Sequence, residues 1–270
     1  VKDIVCLAAF PKSGVTYLSF MLFYACGVAG RPVDLLEERY VIDIDVYPEA
    51  AFAPDADPRL IKSHYRYFDA MPFCDRIAKA ILLVRHPIDV MMSAWNFVML
   101  MSGAAPGRKN PAMDDPEFRT FAFNWITSGG GAVFPEYGSW SEHVASWSTQ
   151  ADIETLPVRY EDLVDQPRAE LERILTFLGV PIIDDRVAEA LERSSMKAMA
   201  EHEEKEAREG RSGVLHRPEI EPGFANGYRF INAASRNSFA ARLTEDEQIV
   251  ALATFEDGLS RYYPRDLAGA

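Results

Sequence analysis

The chain has 270 residues, 48% of them hydrophobic and 26% charged, which suits one large α/β domain or two small ones around a sizeable core. Its formal net charge of −13 excludes a general nucleic-acid binder, because phosphate backbones are held by clustered Lys and Arg. An anionic ligand must be met by local cations that override this field, so every Lys or Arg beside a Gly/Ser turn is informative. Cys6, Cys26 and Cys74 match neither a disulfide framework nor a zinc spacing and read as thiols in a reducing compartment. The longest apolar run, Tyr17–Gly30, is too short to span a bilayer and has no basic region before it. The expected location is cytoplasmic, with no membrane partner.

Ile4–Phe10 is a short aliphatic run bounded by turn residues and reads as a buried strand. A helix follows over Thr16–Cys26, with Leu18, Met21, Leu22 and Ala25 on one stripe. Arg59–His64 and Lys79–Arg85 are the next strands. Pro87–Met101 opens a helix with Pro in its first turn and Asp89 near its start. Ser102–Pro116 and Ser128–Gly138 are rich in Gly and Pro and read as mobile loops. Leu156–Tyr160 is a fourth strand. The helix Pro167–Leu178 has Leu171, Ile174, Leu175 and Leu178 in phase and is stopped by Gly179 and Pro181. Glu201–Pro222 carries a charge run that suits a solvated helix face or disorder. Thr244–Tyr262 begins with the capping-box pattern Thr244…Glu247. Alternating strands and helices predict a central parallel sheet flanked by helices, with ligands at the carboxyl ends of the strands.

Three segments concentrate cations at strand ends. Pro11-Lys12-Ser13-Gly14-Val15-Thr16-Tyr17 joins the first strand to its helix. Such a turn exposes backbone N–H groups at a helix N-terminus, Ser13 and Thr16 add hydroxyls and Lys12 a charge, making a phosphate cradle. The Walker A order is absent, since Lys12 precedes Gly14. Lys62-Ser63-His64 ends the second strand, and period-two alternation puts Lys62 and His64 on one side, roughly 6–7 Å apart. A histidine there can take a proton near neutral pH while a lysine offsets charge. Arg85-His86-Pro87-Ile88-Asp89-Val90-Met91-Met92-Ser93 follows the third strand. Each segment also has an ordinary structural reading: a strand–helix turn, a satisfied histidine, a helix-start carboxylate.

Together these segments resemble the cytosolic-type sulfotransferases, which use 3′-phosphoadenylyl sulfate (PAPS) and release 3′,5′-adenosine bisphosphate (PAP). FPKSGVTY resembles the family's PKSGTTW, Lys62 and His64 match its K-x-H, and Arg85…Ser93 matches its R-x-P-x-D-x-x-x-S. The resemblance implies a P-loop-like three-layer fold in a single domain over 1–270, with mobile loops near 102–116, 128–138 and 201–235. It implies that Lys12 stabilises the leaving oxygen and binds the cofactor, that Ser13, Gly14 and Thr16 hold the 5′-phosphate, and that Val15 and Tyr17 also lie in the cofactor site, Tyr17 at the position that stacks near the adenine. By the same likeness His64 is the general base, Lys62 a second catalytic cation, and Arg85 and Ser93 bind the 3′-phosphate. Val15 replaces a Thr and Tyr17 a Trp of the family pattern. Val158–Leu163 resembles R-Y-E-D-L, with Tyr160 lining the adenine pocket. Ser194 and Met196 fall at nucleotide-contacting positions of a T-S-F-x-x-M-like stretch, and Gly138-Ser139-Trp140…His143 resembles a segment near the acceptor. The R-K-G-x-x-G lid has no intact counterpart; Arg229 and Arg236 are the candidates to replace it.

The implied reaction is in-line displacement at sulfur onto a hydroxyl or amine of a small acceptor, apolar or aromatic, without a metal. Two alternatives stay open at this level: a P-loop-type nucleotide kinase and a non-catalytic sulfotransferase-like binding protein.

Overall fold

The computed structural model describes residues 2–27, 31, 33–108, 110–210, 212–232 and 241–267. The chain forms two compact units, one of Val1–Arg85 with Glu142–Ala198, the other of His86–Ser141 with Met199–Ala270.

The first unit carries a five-stranded, all-parallel sheet. β1 (Ile4–Ala9) is buried along its whole length, as a central parallel strand covered on both faces must be. β3 (Arg59–Ser63) pairs with it from Ile4 opposite Arg59 to Ala8 opposite Ser63, and β4 (Ile77–Val84) pairs along its other side. β2 (Val41–Asp43) forms one edge and β5 (Glu154–Arg159) the other, giving the order β2-β3-β1-β4-β5. Four of these strands coincide with the expected runs within two residues. β2, only three residues long, lies outside the expected strands.

This order has a functional consequence. From β1 the chain runs to the edge strand β2, returns to the side of β1 through β3, and then crosses to β4 and β5 on the other side, so the direction of winding changes beside β1. In an open parallel sheet such a reversal leaves a crevice beyond the carboxyl ends of the central strands, where ligands sit. The residues leaving β1, β3 and β4 are therefore gathered there: the loop 10–14, His64 and Arg85.

α1 (Val15–Ala25) follows β1 and packs on α7 (Asp184–Arg193), with the Arg193 guanidinium 4.2 Å from the centre of the Tyr24 ring. α4 (Trp140–Ser148) precedes β5, α5 (Tyr160–Asp165) and α6 (Pro167–Leu178) follow it, and Gly179, at φ 74°, ends α6 in the left-handed conformation that favours glycine.

The second unit is helical among its described residues. α2 (Pro87–Ser102) and α3 (Pro116–Ser128) share an aromatic core in which Trp95 meets Phe118 and Phe121 edge-on, and Trp125 donates its Nε1–H to Pro87 O at 3.1 Å. The helix Glu245–Tyr262 has the expected capping box of Thr244 and Glu247. α8 (Met196–Glu209) carries the charge run at 201–209, and α9 (Glu221–Ala225) lies farther along. Gly223 in α9 abuts the Leu100 carbonyl, where a Cβ would lie only 2.0 Å from the oxygen. No described helix is long and apolar enough to cross a membrane.

Candidate active site

The loop after β1 has unusual backbone geometry. Lys12 is a non-glycine residue at φ 68°, and Gly14, at φ 98°, is the N-cap of α1. A β-carbon on Gly14 would lie 2.4 Å from Cε2 of Tyr160, so this position requires glycine for conformation and for space. The first intrahelical bond runs from Leu18 N to Gly14 O (3.3 Å), which leaves the N–H groups of Val15, Thr16 and Tyr17 at the open end of the helix. No side chain caps this end and its first turn carries no acid. Ser13 is fully buried, yet its Oγ has no hydrogen-bond partner. A buried hydroxyl costs free energy unless something accepts or donates to it, and at a helix N-terminus an anion's oxygen suits it. These residues fit a bound phosphate.

Arg85 braces the loop from the neighbouring strand end. Its Nη1 donates to the Lys12 carbonyl at 3.0 Å, and its guanidinium lies 4.5 Å from the centre of the Tyr160 ring. Tyr160 is itself buried between Arg85 and Gly14. Burial and the neighbouring Tyr160 raise the Tyr17 phenol pKa above its ordinary value. Two phenols and a guanidinium thus wall the loop.

His64 follows the last residue of β3. Its Nδ1 lies 2.7 Å from the carbonyl oxygen of Ala9, the last residue of β1. A carbonyl only accepts, so Nδ1 carries the proton and the basic lone pair is on Nε2. Burial lowers the imidazole pKa to about 4, aided by Lys62 and Lys12 and opposed by Asp43 and the Ala9 bond. The ring is neutral at neutral pH, the form a base requires.

Lys62 is buried in an ion-paired cluster, its Nζ 2.6 Å from Glu37 Oε1 and 2.7 Å from Asp43 Oδ2. Burial works against its charge, but the two carboxylates outweigh it and raise its pKa. Its effect on His64 is that of a nearby positive field. Asp45, just beyond β2, accepts from Ser63 Oγ at 2.9 Å and from His64 N at 2.8 Å. Glu37, Asp43 and Asp45 were not among the expected site residues. The signal was present in Tyr40–Tyr47, where acids alternate with aliphatics as in a strand with one charged face.

The remaining candidates lie on other elements. Ser194 is buried at the end of α7, its Oγ donating to Ala190 O at 2.6 Å. Met196 is exposed at the start of α8, and Ser93 is half-buried on α2 in the second unit. Arg229 is engaged with Glu204 Oε1 (2.7 Å), Phe224 O (2.9 Å) and Tyr228 O (2.7 Å). Arg236 lies outside the described residues. His143 is fully buried 5.9 Å from Phe10, edge-on, and neither ring nitrogen has a hydrogen-bond partner. Burial, with a smaller contribution from His64, lowers its pKa to about 3.

A sulfotransferase-domain family model matches residues 2–245. The chain belongs to the sulfotransferase family. It is 32% identical over 149 residues to the 3-beta-hydroxysteroid sulfotransferase of Cavia porcellus, a match covering 54% of this chain and 47% of that one. The chain thus spans about half the length of that relative. It is 31% identical over 208 residues to sulfotransferase 2A2 of Mus musculus, covering 74% of this chain and 67% of the relative. Among solved structures, the mouse sulfotransferase SULT7A1 complexed with PAP superposes with a TM-score of 0.64 at 17% identity, covering 99% of this chain and 87% of that one. A retinol dehydratase complexed with androsterone and PAP gives 0.64 at 16% identity, covering 96% and 81%. At such identities these structures speak to the fold, and they agree with the α/β sheet seen in this sulfotransferase-family chain.

Proposed function

We propose that this chain transfers a sulfuryl group from PAPS to a hydroxyl or amine of a small acceptor, with His64 as general base. The observation that supports this reading is the Nδ1–Ala9 bond, which assigns the basic lone pair of a neutral imidazole to Nε2 on a residue that follows β3, next to the strand from which the α1 N-terminus follows. PAPS supplies a sulfuryl group on a phosphate leaving group, so the protein's task is positioning and charge compensation.

The N–H groups of residues 14–17 with Ser13 Oγ hold the 5′-phosphate, and Lys12 offsets charge on the departing oxygen. Arg85, and by family resemblance Ser93, take the 3′-phosphate, with Tyr160 beside the nucleotide. Ser194 and Met196 keep the nucleotide-contacting roles that the resemblance implies. Lys62 acts through its field at His64, its ammonium being held by Glu37 and Asp43. His64 takes the acceptor proton as the new O–S or N–S bond forms. Phe10 and His143 are the proposed lining of the acceptor side, and together with the hydroxysteroid names of relatives they favour an apolar alcohol.

Thermal denaturation with nucleotides tests the donor. PAP at about one hundred times its dissociation constant should raise Tm by roughly 5 °C, from about 2.7 kcal/mol of linkage. ATP with Mg²⁺ should leave Tm unchanged. The reverse pattern would overturn the reading in favour of a nucleotide kinase.

A further inference from the structure

We infer that Asp45 is a positioning residue for the base, holding the main chain of His64 so that Nε2 keeps its aim. This deepens the proposed function and rests on His64 being the base. β3 ends at Ser63, so His64 lies past the last ladder pairing and its N–H must find another acceptor. Asp45 Oδ2 provides it at 2.8 Å, while Oδ1 accepts from Ser63 Oγ at 2.9 Å. The same Ser63 Oγ accepts from Tyr65 N at 3.0 Å, so both residues flanking His64 are drawn into the arrangement. The ring is held separately, through Nδ1 to Ala9 O. Main chain and ring are thus each tied to a different neighbour.

Asp45 is fixed in turn. Its N–H donates to Asp43 Oδ1 at 3.2 Å, and Asp43 Oδ2 meets the Lys62 ammonium that Glu37 also holds. Ile44 N donates to Lys62 O at 3.1 Å, continuing the β2–β3 pairing up to Asp45. A line of contacts therefore runs from Glu37 through Lys62, Asp43 and Asp45 to the main chain of His64. Keeping Asp45 half-buried beside Asp43 has a cost: burial and that neighbour push its carboxyl up to about 6, against the bonds from His64, Ser63 and the charge of Lys62. A surface turn has no need of a carboxylate held at such a cost.

The test compares Asp45→Ala, Asp45→Asn and His64→Ala in the full chain, measuring kcat and KM with PAPS and a turned-over phenol or alcohol, and PAP affinity by calorimetry. Asp45→Ala should lower kcat by about 10²-fold, the usual effect of a misplaced catalytic group, with PAP affinity within about twofold of the parent. Asp45→Asn keeps an oxygen to accept from His64 N and should recover most of kcat. Wild-type kcat in Asp45→Ala beside an inactive His64→Ala would overturn the inference and leave the base reading standing. Turnover persisting in His64→Ala would instead overturn the base reading. Loss of PAP affinity in parallel with kcat, or an Asn variant as slow as the Ala variant, would also overturn the positioning role.

Discussion

Both units bury carboxylates, and the two sets hold different things. In the first unit, Glu37 and Asp43 meet a lysine side chain and Asp45 meets a hydroxyl and the main chain of His64, all at the end of a central strand. In the second, Glu203 accepts from Phe230 N (2.7 Å) and Ile231 N (3.0 Å), and Glu206 accepts from Val214 N (3.0 Å), Leu215 N (2.8 Å) and His216 N (2.8 Å). These acids sit one helical turn apart on α8 and pin irregular backbone that has no ladder of its own. Buried charge alone therefore does not mark a catalytic centre. What distinguishes the first set is that its contacts end on His64, the residue proposed as the base.

That contrast can be broken from the structural side. Glu206→Ala leaves three main-chain N–H groups without their acceptor and should cost about 3 kcal/mol or more, read from urea denaturation. In the protein that remains folded, PAP affinity should change far less than stability does. A neutral effect on stability would show that the second set is not the structural clamp described. Glu206 also has a pH signature. Burial raises its pKa, but His202 and the N–H bonds of Leu215 and His216 outweigh it, so the carboxyl is held below its ordinary value. The stability it contributes is present above the unfolded carboxylate range and is lost as the pH falls through the lowered value.

A smaller effect sharpens the first-unit side. His143 is neutral and buried, with a pKa of about 3 against 6.5 when unfolded. The unfolded chain binds the extra proton between those values, so stability declines as pH falls from about 6.5 toward 3. His143→Leu should remove this part of the acid sensitivity and flatten Tm against pH over that window, by a few degrees. An unchanged acid limb would mean that the imidazole is already protonated or solvated in the folded state.

Much of the sheet was legible because parallel strands buried on both faces read as apolar runs, as in Ile4–Ala9 and residues 80–84 of β4. The loop at Lys12–Thr16 was legible for a related reason: a glycine that must adopt φ 98° against a tyrosine ring leaves a mark in the sequence. The expectation that Arg85 and Ser93 act together rests on family resemblance alone, since no periodicity encodes it. Alternation put Lys62 and His64 on one side of a strand, but it could not show that Glu37 and Asp43 hold the ammonium. Those partners lie 25 and 19 residues upstream and become neighbours only when β2 joins the sheet edge. Asp45 escaped for the same reason, since its role depends on where β3 ends.

The most direct measurement is the tautomer and titration of His64, read from long-range ¹H–¹⁵N correlations of the imidazole in the full chain, assigned by comparison with His64→Gln. A neutral ring protonated at Nδ1 through pH 7 and charging only near pH 4 is the predicted result. An Nε2-protonated ring, or one that charges near its ordinary 6.5, would contradict the claim that the fold presents a ready base at this crevice.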